Sequence, residues 1–313
     1  MRNLHIVATG GAGYLGSVLC ERLLREGHRV TVVDNLMYGQ QSLFHLLSAQ
    51  EFEFVFGDVR DESLMRRVCR DADVLIPLAA IVGAPACVRD PWLAHSVNLD
   101  AVRLLLKLRS PSQLLVFPTT NSGYGTKSGE AYCTEDTPLE PSTLYGRTKV
   151  EAEAAVLQEP STIALRLATV FGLSSRMRLD LLVNHFVYAA VTDGYIVIFE
   201  KDFKRNYVHI RDVADCFLHC IAHADRMVGQ PYNVGLEAAN LSKKELALKV
   251  KEYVPDFYIH FSETGKDPDR RNYIVSNQRL LEAGFEARRT LDGGIRELLK
   301  GYQMMVRGPF RNV

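Results

Sequence analysis

Short apolar runs alternate with amphipathic segments over the first half of the chain. The helical segments are residues 61–70 and 91–109, together with the stretches that follow Gly16 and Tyr145. The candidate strands are Leu4–Ala8, Arg29–Asp34, Phe52–Phe56, Val74–Pro77 and Leu114–Phe117. Such alternation is typical of an α/β fold in which helices cover both faces of a parallel sheet. The pattern therefore predicts a doubly wound parallel sheet.

The pattern changes beyond Pro160. A sixth strand is predicted at Ile163–Gly172, and residues 174–184 are predicted to open a helix. Further on we predict a helix at Val213–Ala222 with Asp212 as its possible cap, a strand at Tyr232–Gly235, and a packing helix at Leu291–Met304. We expect residues 1–170, with returning segments at about 205–235, to form a cofactor-binding domain, and residues 171–313 mainly a smaller C-terminal α/β lobe that binds substrate.

Composition narrows the possible functions. The 313 residues carry 37 basic and 37 acidic side chains, so there is no basic excess of the kind that binds nucleic acid. No charged-then-apolar leader opens the sequence, and no apolar run reaches membrane-spanning length, so a cytoplasmic protein without a membrane role is the default. The six cysteines form no CxxC pair and are expected to be reduced core thiols, and the nine histidines show no metal-binding spacing.

The first strand runs directly into the glycine-rich sequence Thr9-Gly-Gly-Ala-Gly-Tyr-Leu-Gly16, and a helical pattern follows. The N-terminus of a helix offers unsatisfied N–H groups and the positive end of the helix dipole to a phosphate. Glycines allow the main chain to come close enough to use them. Strand, glycine turn and helix in this order predict a pyrophosphate site that includes Gly10, Gly13, Tyr14, Leu15 and Gly16.

Asp34 ends the second predicted strand, near the distance from the glycines at which a carboxylate accepts hydrogen bonds from an adenosine ribose. A 2′-phosphate would be repelled there, and no arginine follows before Tyr38, so the sequence favours NAD over NADP. Asp58 follows the third strand, where it is placed either against an adenine amino group or at the N-cap of the helix at 61–70. The small side chains after the fourth strand allow a cofactor to pass closely. The other predicted cofactor contacts are Asn35, Val59, Leu78, Ala79, Ala80 and Asn98.

A hydroxyl-rich segment, Thr119-Thr-Asn-Ser-Gly-Tyr-Gly125, ends the fifth strand. Tyr145 and Lys149 come later, one turn apart on a predicted helix. A lysine cation and an oxidised nicotinamide both favour tyrosinate, so this spacing suits a tyrosine that acts as a base.

Together these motifs resemble the extended short-chain dehydrogenase/reductases, and within them the nucleotide-sugar epimerase and dehydratase branch. The resemblance extends from about residue 3 to about residue 300 and implies a Rossmann-type fold with a retained NAD. It also implies that Tyr145 deprotonates a sugar hydroxyl, that Thr120 hydrogen-bonds that hydroxyl, and that Lys149 holds the nicotinamide ribose. NAD then accepts hydride from the sugar carbon to give a keto sugar.

The same resemblance implies where the nucleotide sugar binds. Asn184 is expected to contact the substrate diphosphate and Arg205 the nucleotide, and either Arg270 or Arg271 is expected to meet the diphosphate. A guanidinium fork suits phosphate oxygens. The family commonly dimerises through two helices per subunit, here those at 91–109 and 142–158, so a homodimer is expected.

The residues after Thr120 separate the possible reactions. Dehydratases of the branch carry Asp-Glu there, and the decarboxylases usually carry Glu at the second position, whereas this chain has Asn121 and Ser122. Neither side chain serves as a general acid or base near neutral pH, although both are placed to contact substrate. We therefore expect an NAD-dependent 4-epimerase. The alternatives are a 4-oxidase or ketoreductase that performs one half-reaction and, further from the pattern, a dehydratase or a non-catalytic NAD-binding module.

Overall fold

The computed structural model describes residues 3–127, 132–264 and 272–305. Its strands in these ranges are β1 His5–Thr9, β2 Arg29–Asp34, β3 Phe52–Phe56, β4 Val74–Pro77, β5 Leu114–Thr120, β6 Tyr132–Cys133, β7 Thr162–Leu167, β8 Thr169–Phe171, β9 Tyr195–Phe199, β10 Lys204–His209, β11 Gln230–Val234, β12 Asn240–Ser242, β13 Tyr258–Ser262 and β14 Ile274–Val275. Its helices there are α1 Tyr14–Arg25, α2 Glu62–Cys69, α3 Ala84–Arg89, α4 Pro91–His95, α5 Ala101–Leu108, α6 Leu144–Leu157, α7 Leu182–Thr192, α8 Ile210–Ala222, α9 Ala224–Met227, α10 Lys243–Tyr253, α11 Gln278–Glu282 and α12 Leu291–Met305.

Seven strands form one central sheet in the order β11-β7-β5-β4-β1-β2-β3. Every neighbouring pair in this sheet is parallel. This is the strand order of a Rossmann fold, in which ligands bind beyond the carboxyl ends of the strands. The predicted doubly wound sheet is confirmed, and the glycine loop, Asp34 and Thr120 all lie at that edge.

Both faces of the central sheet are buried. One face packs against α1 and α8 in a core that includes Leu19, Val116 and Phe217. The opposite face packs against α2, α5 and α6 in a second core that includes Phe117 and Ala152. Burial on both faces explains why these strands are nearly continuous apolar runs rather than alternating ones.

A smaller lobe has its own core. Helices α7, α10 and α12 pack there with the parallel pair β9 and β13 around Phe186, Phe257 and Leu298. Strand β10 joins this lobe to the rest through a three-stranded sheet, because it pairs in parallel with β8 and antiparallel with β12. The predicted smaller C-terminal α/β lobe is therefore present.

Several local predictions were wrong. The sixth strand splits after Leu167, so that β7 belongs to the central sheet and β8 to the smaller one. Residues 174–181 are not helical, since α7 begins only at Leu182. Asp212 does not cap α8: His209 is the N-cap and its ring accepts the N–H of Arg211. The carboxylate of Asp212 instead binds Arg289.

The region predicted as one helix at 91–109 has three parts. A π-helical segment at Ser96–Asp100 separates α4 from α5, and such bulges often occur at functional sites.

All six cysteines are buried and free, which confirms the prediction of reduced core thiols. Across the described ranges, no helix combines the length and apolar character needed to cross a membrane.

Candidate active site

The glycine loop is packed too closely for any larger residue. Gly10 has φ +71°, and a Cβ atom there would lie 2.5 Å from the main-chain nitrogen of Ala79. A Cβ on Gly16 would lie 2.6 Å from the carbonyl oxygen of Gly10. The main chain therefore forms a cradle at the start of α1, where Gly13 is the N-cap, and this fits a pyrophosphate.

Asp34 lies at the end of β2 and is 7% exposed. Its carboxylate accepts the N–H of Ala12 at 3.0 Å and that of Leu36 at 2.9 Å. Burial raises the pKa of Asp34, while these hydrogen bonds and the charge of Arg176 oppose the rise. The carboxylate thus fixes the glycine loop and lies where an adenosine ribose is expected.

Arg176 reaches this end of the site from a distant part of the chain. Its guanidinium lies 4.6 Å from the ring centroid of Tyr38. The sequence contained no arginine between Asp34 and Tyr38, and no local signal could have placed Arg176 beside them. The charge at the adenosine end of the site is therefore less negative than the local sequence suggested.

Asp58 pairs with Arg60 after β3. The guanidinium donates to both carboxylate oxygens, at 2.9 and 2.7 Å, and holds the pKa of Asp58 below its usual value. Asn35 donates to the same carboxylate at 3.5 Å. The alternative of Asp58 as a helix cap is wrong, because Asp61 caps α2 through the N–H groups of Ser63 and Leu64.

Asn98 supports the segment that leaves β4. Its side chain accepts the N–H of Ile81 at 2.7 Å and donates to the carbonyl of the same residue at 3.0 Å. Asn98 is 1% exposed and also donates to Thr148 on α6. Its amide is thus engaged in holding the chain after Leu78, Ala79 and Ala80, and Ala79 in turn contacts Gly10. Val59 and Ala79 line the same small, partly open cavity.

The end of β5 presents three buried polar side chains. Thr120 donates its hydroxyl to Ser122 at 2.8 Å and accepts the N–H of Ser122 at 3.1 Å. Asn121 is fully buried, and neither atom of its side-chain amide has a hydrogen-bond partner among the described residues. A buried amide without partners is costly, and because Asn121 has no exposed surface, a polar ligand could pair with it only after this strand end rearranges.

Tyr145 and Lys149 lie on α6, whose first turn is capped by Thr143. Lys149 is 3% exposed, and its ammonium lies 4.0 Å from the centroid of the Phe117 ring on β5. Burial lowers the pKa of Lys149 to about 7, and the carboxylate of Glu153 opposes that effect. The lysine therefore changes charge near neutral pH in the protein without cofactor.

A second cation, Arg178, lies near Tyr145. The two side chains interact electrostatically, and Arg178 also donates to Asp180. Sequence reasoning missed Arg178 because it interpreted residues 174–184 as the start of a helix. The irregular backbone of residues 174–181 is what brings this arginine to the site.

Asn184 anchors that irregular segment. Its side chain accepts the N–H of Gly172 at 3.1 Å and donates to the carbonyl of Arg178 at 3.0 Å and to the hydroxyl of Tyr14 at 3.1 Å. It is fully buried. Both amide hydrogens are engaged within the protein, so the diphosphate contact predicted for Asn184 has no free donor in this structure.

The remaining predicted substrate residues are cations. Arg205 lies on β10, opposite Leu241 of β12, and is 4% exposed. Arg270 and Arg271 lie outside the described residues. The structure thus places the glycine loop, Asp34 and Thr120 at one edge of the sheet, and Tyr145 and Lys149 on α6, which packs against β5 and the turn after Thr120.

Comparison with known proteins agrees with this arrangement. Residues 6–235 match the model of the NAD dependent epimerase/dehydratase family. The chain is 30% identical over 287 residues to an uncharacterized UDP-glucose epimerase, YtcB, of Bacillus subtilis, covering 83% of this chain and 85% of that protein.

Two solved structures share the fold. A UDP-N-acetylglucosamine 4-epimerase from Methanobrevibacter ruminantium, in complex with UDP-N-acetylmuramic acid, has a TM-score of 0.86 and 19% identity, covering 97% of this chain and all of that one. A dTDP-glucose 4,6-dehydratase from Bacillus anthracis in complex with NAD has a TM-score of 0.84 and 22% identity, covering 97% and 98%.

The glycine cradle suits the pyrophosphate of NAD, and the buried Asp34 and Lys149 are the side chains expected at its two riboses. The residues present therefore fit this cofactor, which the family uses. With its fold, cofactor site and matched residues in agreement, the chain belongs to the NAD-dependent epimerase/dehydratase family of nucleotide-sugar enzymes.

Proposed function

We propose that this enzyme is a nucleotide-sugar epimerase that acts by transient oxidation of a sugar hydroxyl, at ring position 4. The observation that carries the proposal is the end of β5, where Thr120, Asn121 and Ser122 offer two hydroxyls and an amide. These groups can bind and orient a sugar, but they cannot act as a general acid or base near neutral pH. Dehydration and decarboxylation are therefore disfavoured.

In this proposal Tyr145 takes the proton of the sugar hydroxyl. Thr120 donates a hydrogen bond to the same oxygen or accepts one from it, which fixes the hydroxyl relative to the phenol. The Lys149 cation stabilises the tyrosinate and binds the nicotinamide ribose, and Arg178 adds a permanent positive charge. When bound, NAD supplies the hydride acceptor and donor.

The substrate we propose is a UDP-linked sugar. The name of the Bacillus subtilis relative and that of the Methanobrevibacter ruminantium structure both indicate UDP-sugar epimerases. Arg205, together with Arg270 or Arg271, would meet the nucleotide and the diphosphate, because guanidinium groups chelate phosphate oxygens. In this arrangement residues 171–313 mainly bind the nucleotide sugar, while residues 1–170 hold NAD.

The alternative within the same site is a 4-oxidase or ketoreductase. That enzyme would use the same Tyr145, Lys149 and Thr120 but would release its product after one hydride transfer. The two reactions differ in whether NADH accumulates. A regulator that binds NAD without catalysis would not require these three side chains, so their presence together favours an enzyme.

The test is incubation of the purified protein with UDP-, GDP-, CDP- and dTDP-sugars, followed by mass spectrometry, proton NMR and NADH absorbance. An epimerase gives a product of unchanged mass with altered ring couplings and no NADH accumulation. A product that has lost two hydrogens, formed together with NADH, would identify an oxidase instead. Loss of water would overturn the interpretation of Asn121 and Ser122.

We also propose a homodimer, formed through the helical region 91–109 and α6. Both helices keep polar side chains on an exposed face, including Arg103 and Lys107 on one and Arg147 and Glu151 on the other. Light scattering at several protein concentrations tests the proposed dimer, and a monomer mass throughout would refute it.

A further inference from the structure

Glu153 follows Lys149 by one turn of α6, as Lys149 follows Tyr145. Residues four apart share a helix face, so the three side chains form one row. Glu153 is 2% exposed and Lys149 is 3% exposed. A buried carboxylate and a buried ammonium on adjacent turns attract each other, because little water screens them.

Only one oxygen of the Glu153 carboxylate binds its other partner, Arg166. Arg166 on β7 donates from Nε at 2.9 Å and from Nη2 at 2.6 Å, and both hydrogen bonds go to Oε1. The second oxygen, Oε2, is buried and has no hydrogen-bond partner among the described residues. The unpaired oxygen carries charge that is available to Lys149.

Arg166 is held on its far side as well. Its Nη1 donates to the hydroxyl of Tyr124 at 3.1 Å and to the carbonyl of Glu135 at 2.8 Å. Glu135 in turn lies 3.8 Å from Arg279. Arg166 is thus fixed by neutral groups on this side, and Glu153 is the anion between two buried basic side chains.

We propose that Glu153 is a positioning residue that favours the charged form of Lys149 and thereby favours the tyrosinate form of Tyr145, the form that acts as the base. Without the carboxylate, Lys149 and Arg166 would be two buried cations with no anion between them. Arginine does not release its proton in proteins, whereas a buried lysine does. Lys149 would then be neutral at a lower pH than in the wild type, and Tyr145 would lose part of the positive charge that stabilises its tyrosinate.

The groups that face this row come from several elements. They are Arg178 before α7, which lies near Tyr145, and Arg166 on β7, which binds Glu153 and donates to Tyr124 after β5; Glu135 and Arg279 lie beyond Arg166. Arg178 keeps its charge when Glu153 is replaced. The loss of Glu153 therefore removes only part of the positive charge near Tyr145. The inference rests on the proposed role of Tyr145 and not on the identity of the sugar.

The test is a titration of Tyr145 in the NAD-loaded enzyme without substrate. Tyrosinate absorbance is followed from about pH 6 to 10, and the same curve for a matched Tyr145→Phe protein is subtracted. Glu153→Gln should raise the pH at which half of Tyr145 is ionised by about one unit. Glu151→Gln removes the same charge from the exposed face of α6 and should leave the midpoint unchanged.

A double variant, Glu153→Gln with Arg166→Met, keeps the test valid if the single variant does not fold. Removal of both members of a buried ion pair is often tolerated when removal of one is not. The midpoint should still rise relative to the wild type, by less than in Glu153→Gln, because Lys149 lacks its anion but no longer lies near the cation Arg166. An unchanged midpoint in a folded, NAD-containing Glu153 variant would overturn the proposal. The incubation with nucleotide sugars tests the proposed function independently, since the titration uses no substrate.

Discussion

The hydroxyl of Tyr14 donates a hydrogen bond to the carbonyl oxygen of Gly172 at 2.7 Å, across a separation of 158 residues. Asn184 donates to the same hydroxyl at 3.1 Å. Ser174 adds a second link, because its hydroxyl donates to the carbonyl of Tyr14 at 2.7 Å. The cofactor loop and the segment that leads to the substrate lobe are therefore bound directly to each other.

Tyr14→Phe should weaken this link. The change removes the donor to Gly172 and the acceptor for Asn184, so we expect the free energy of unfolding to fall by about 1–3 kcal/mol. NAD should also dissociate faster, because the loop that cradles it loses its support. Urea denaturation and the release rate of bound NAD test both effects. Tyr195→Phe, at an exposed position, is the control and should change neither.

Gly10→Ala and Gly27→Ala form a matched pair. Both glycines have positive φ, +71° and +82°, so alanine is strained at either position. Only at Gly10 would the new Cβ meet other atoms, the main chain of Ala79, whereas Gly27 faces open space. We expect Gly10→Ala to abolish NAD binding in isothermal calorimetry and Gly27→Ala to preserve it. Equal NAD affinity in the two variants would refute the close packing of the cradle.

Tyr145→Phe should abolish turnover while the enzyme still binds NAD. The variant keeps the ring and loses only the hydroxyl that accepts the substrate proton. Loss of a general base costs about 10²–10⁴-fold in rate. Product formation is measured by proton NMR, and bound NAD by its absorbance after the protein is denatured. Turnover at the wild-type rate would exclude Tyr145 as the base.

Lys149→Met should stabilise the NAD-free protein near neutral pH. The folded-state pKa is about 7 against an ordinary 10.5, so between these values the unfolded chain binds a proton that the folded protein lacks. The unfolding free energy of the wild type therefore rises with pH across this window. Below the window, the full cost of burying the charged lysine reduces that free energy. Urea denaturation should show Lys149→Met more stable by about 2–4 kcal/mol near pH 6.5.

The advantage of the methionine variant should shrink as pH rises toward 10.5, above which the lysine is neutral in both states. The same substitution should weaken NAD retention, since the ammonium is lost. A difference in stability that does not vary with pH would show that Lys149 is not the source of the effect.

Local features of the sequence were predicted well. Strands β2, β3 and β4 have the bounds expected from their apolar runs, and the glycine loop lies where strand, turn and helix placed it. These features depend on neighbouring residues and on the buried faces of the sheet, so their signals are short-range. The Tyr145 and Lys149 pair was predictable for the same reason, because one helical turn separates them.

Long-range features were not predictable. Arg176, Arg178 and Asn184 reach the cofactor loop and Tyr145 through a segment whose irregular backbone is fixed by contacts with residues far away in the sequence. Its apolar and polar spacing resembled a helix. Glu153, by contrast, could have been found, since it continues the helical row of Tyr145 and Lys149 and a glutamate on a buried face requires a partner.

The link between Tyr14 and Gly172 also sets an order of events during synthesis. The glycine loop leaves the ribosome first, but the residues that close it, through Asn184, follow only after a further roughly 10 to 30 seconds at about 5–20 residues per second. Strand β11, which forms one edge of the central sheet, comes later still. We expect the nascent chain to bind NAD tightly only when most of it has been translated. Fragments that end before residue 184 should therefore exchange the cofactor freely.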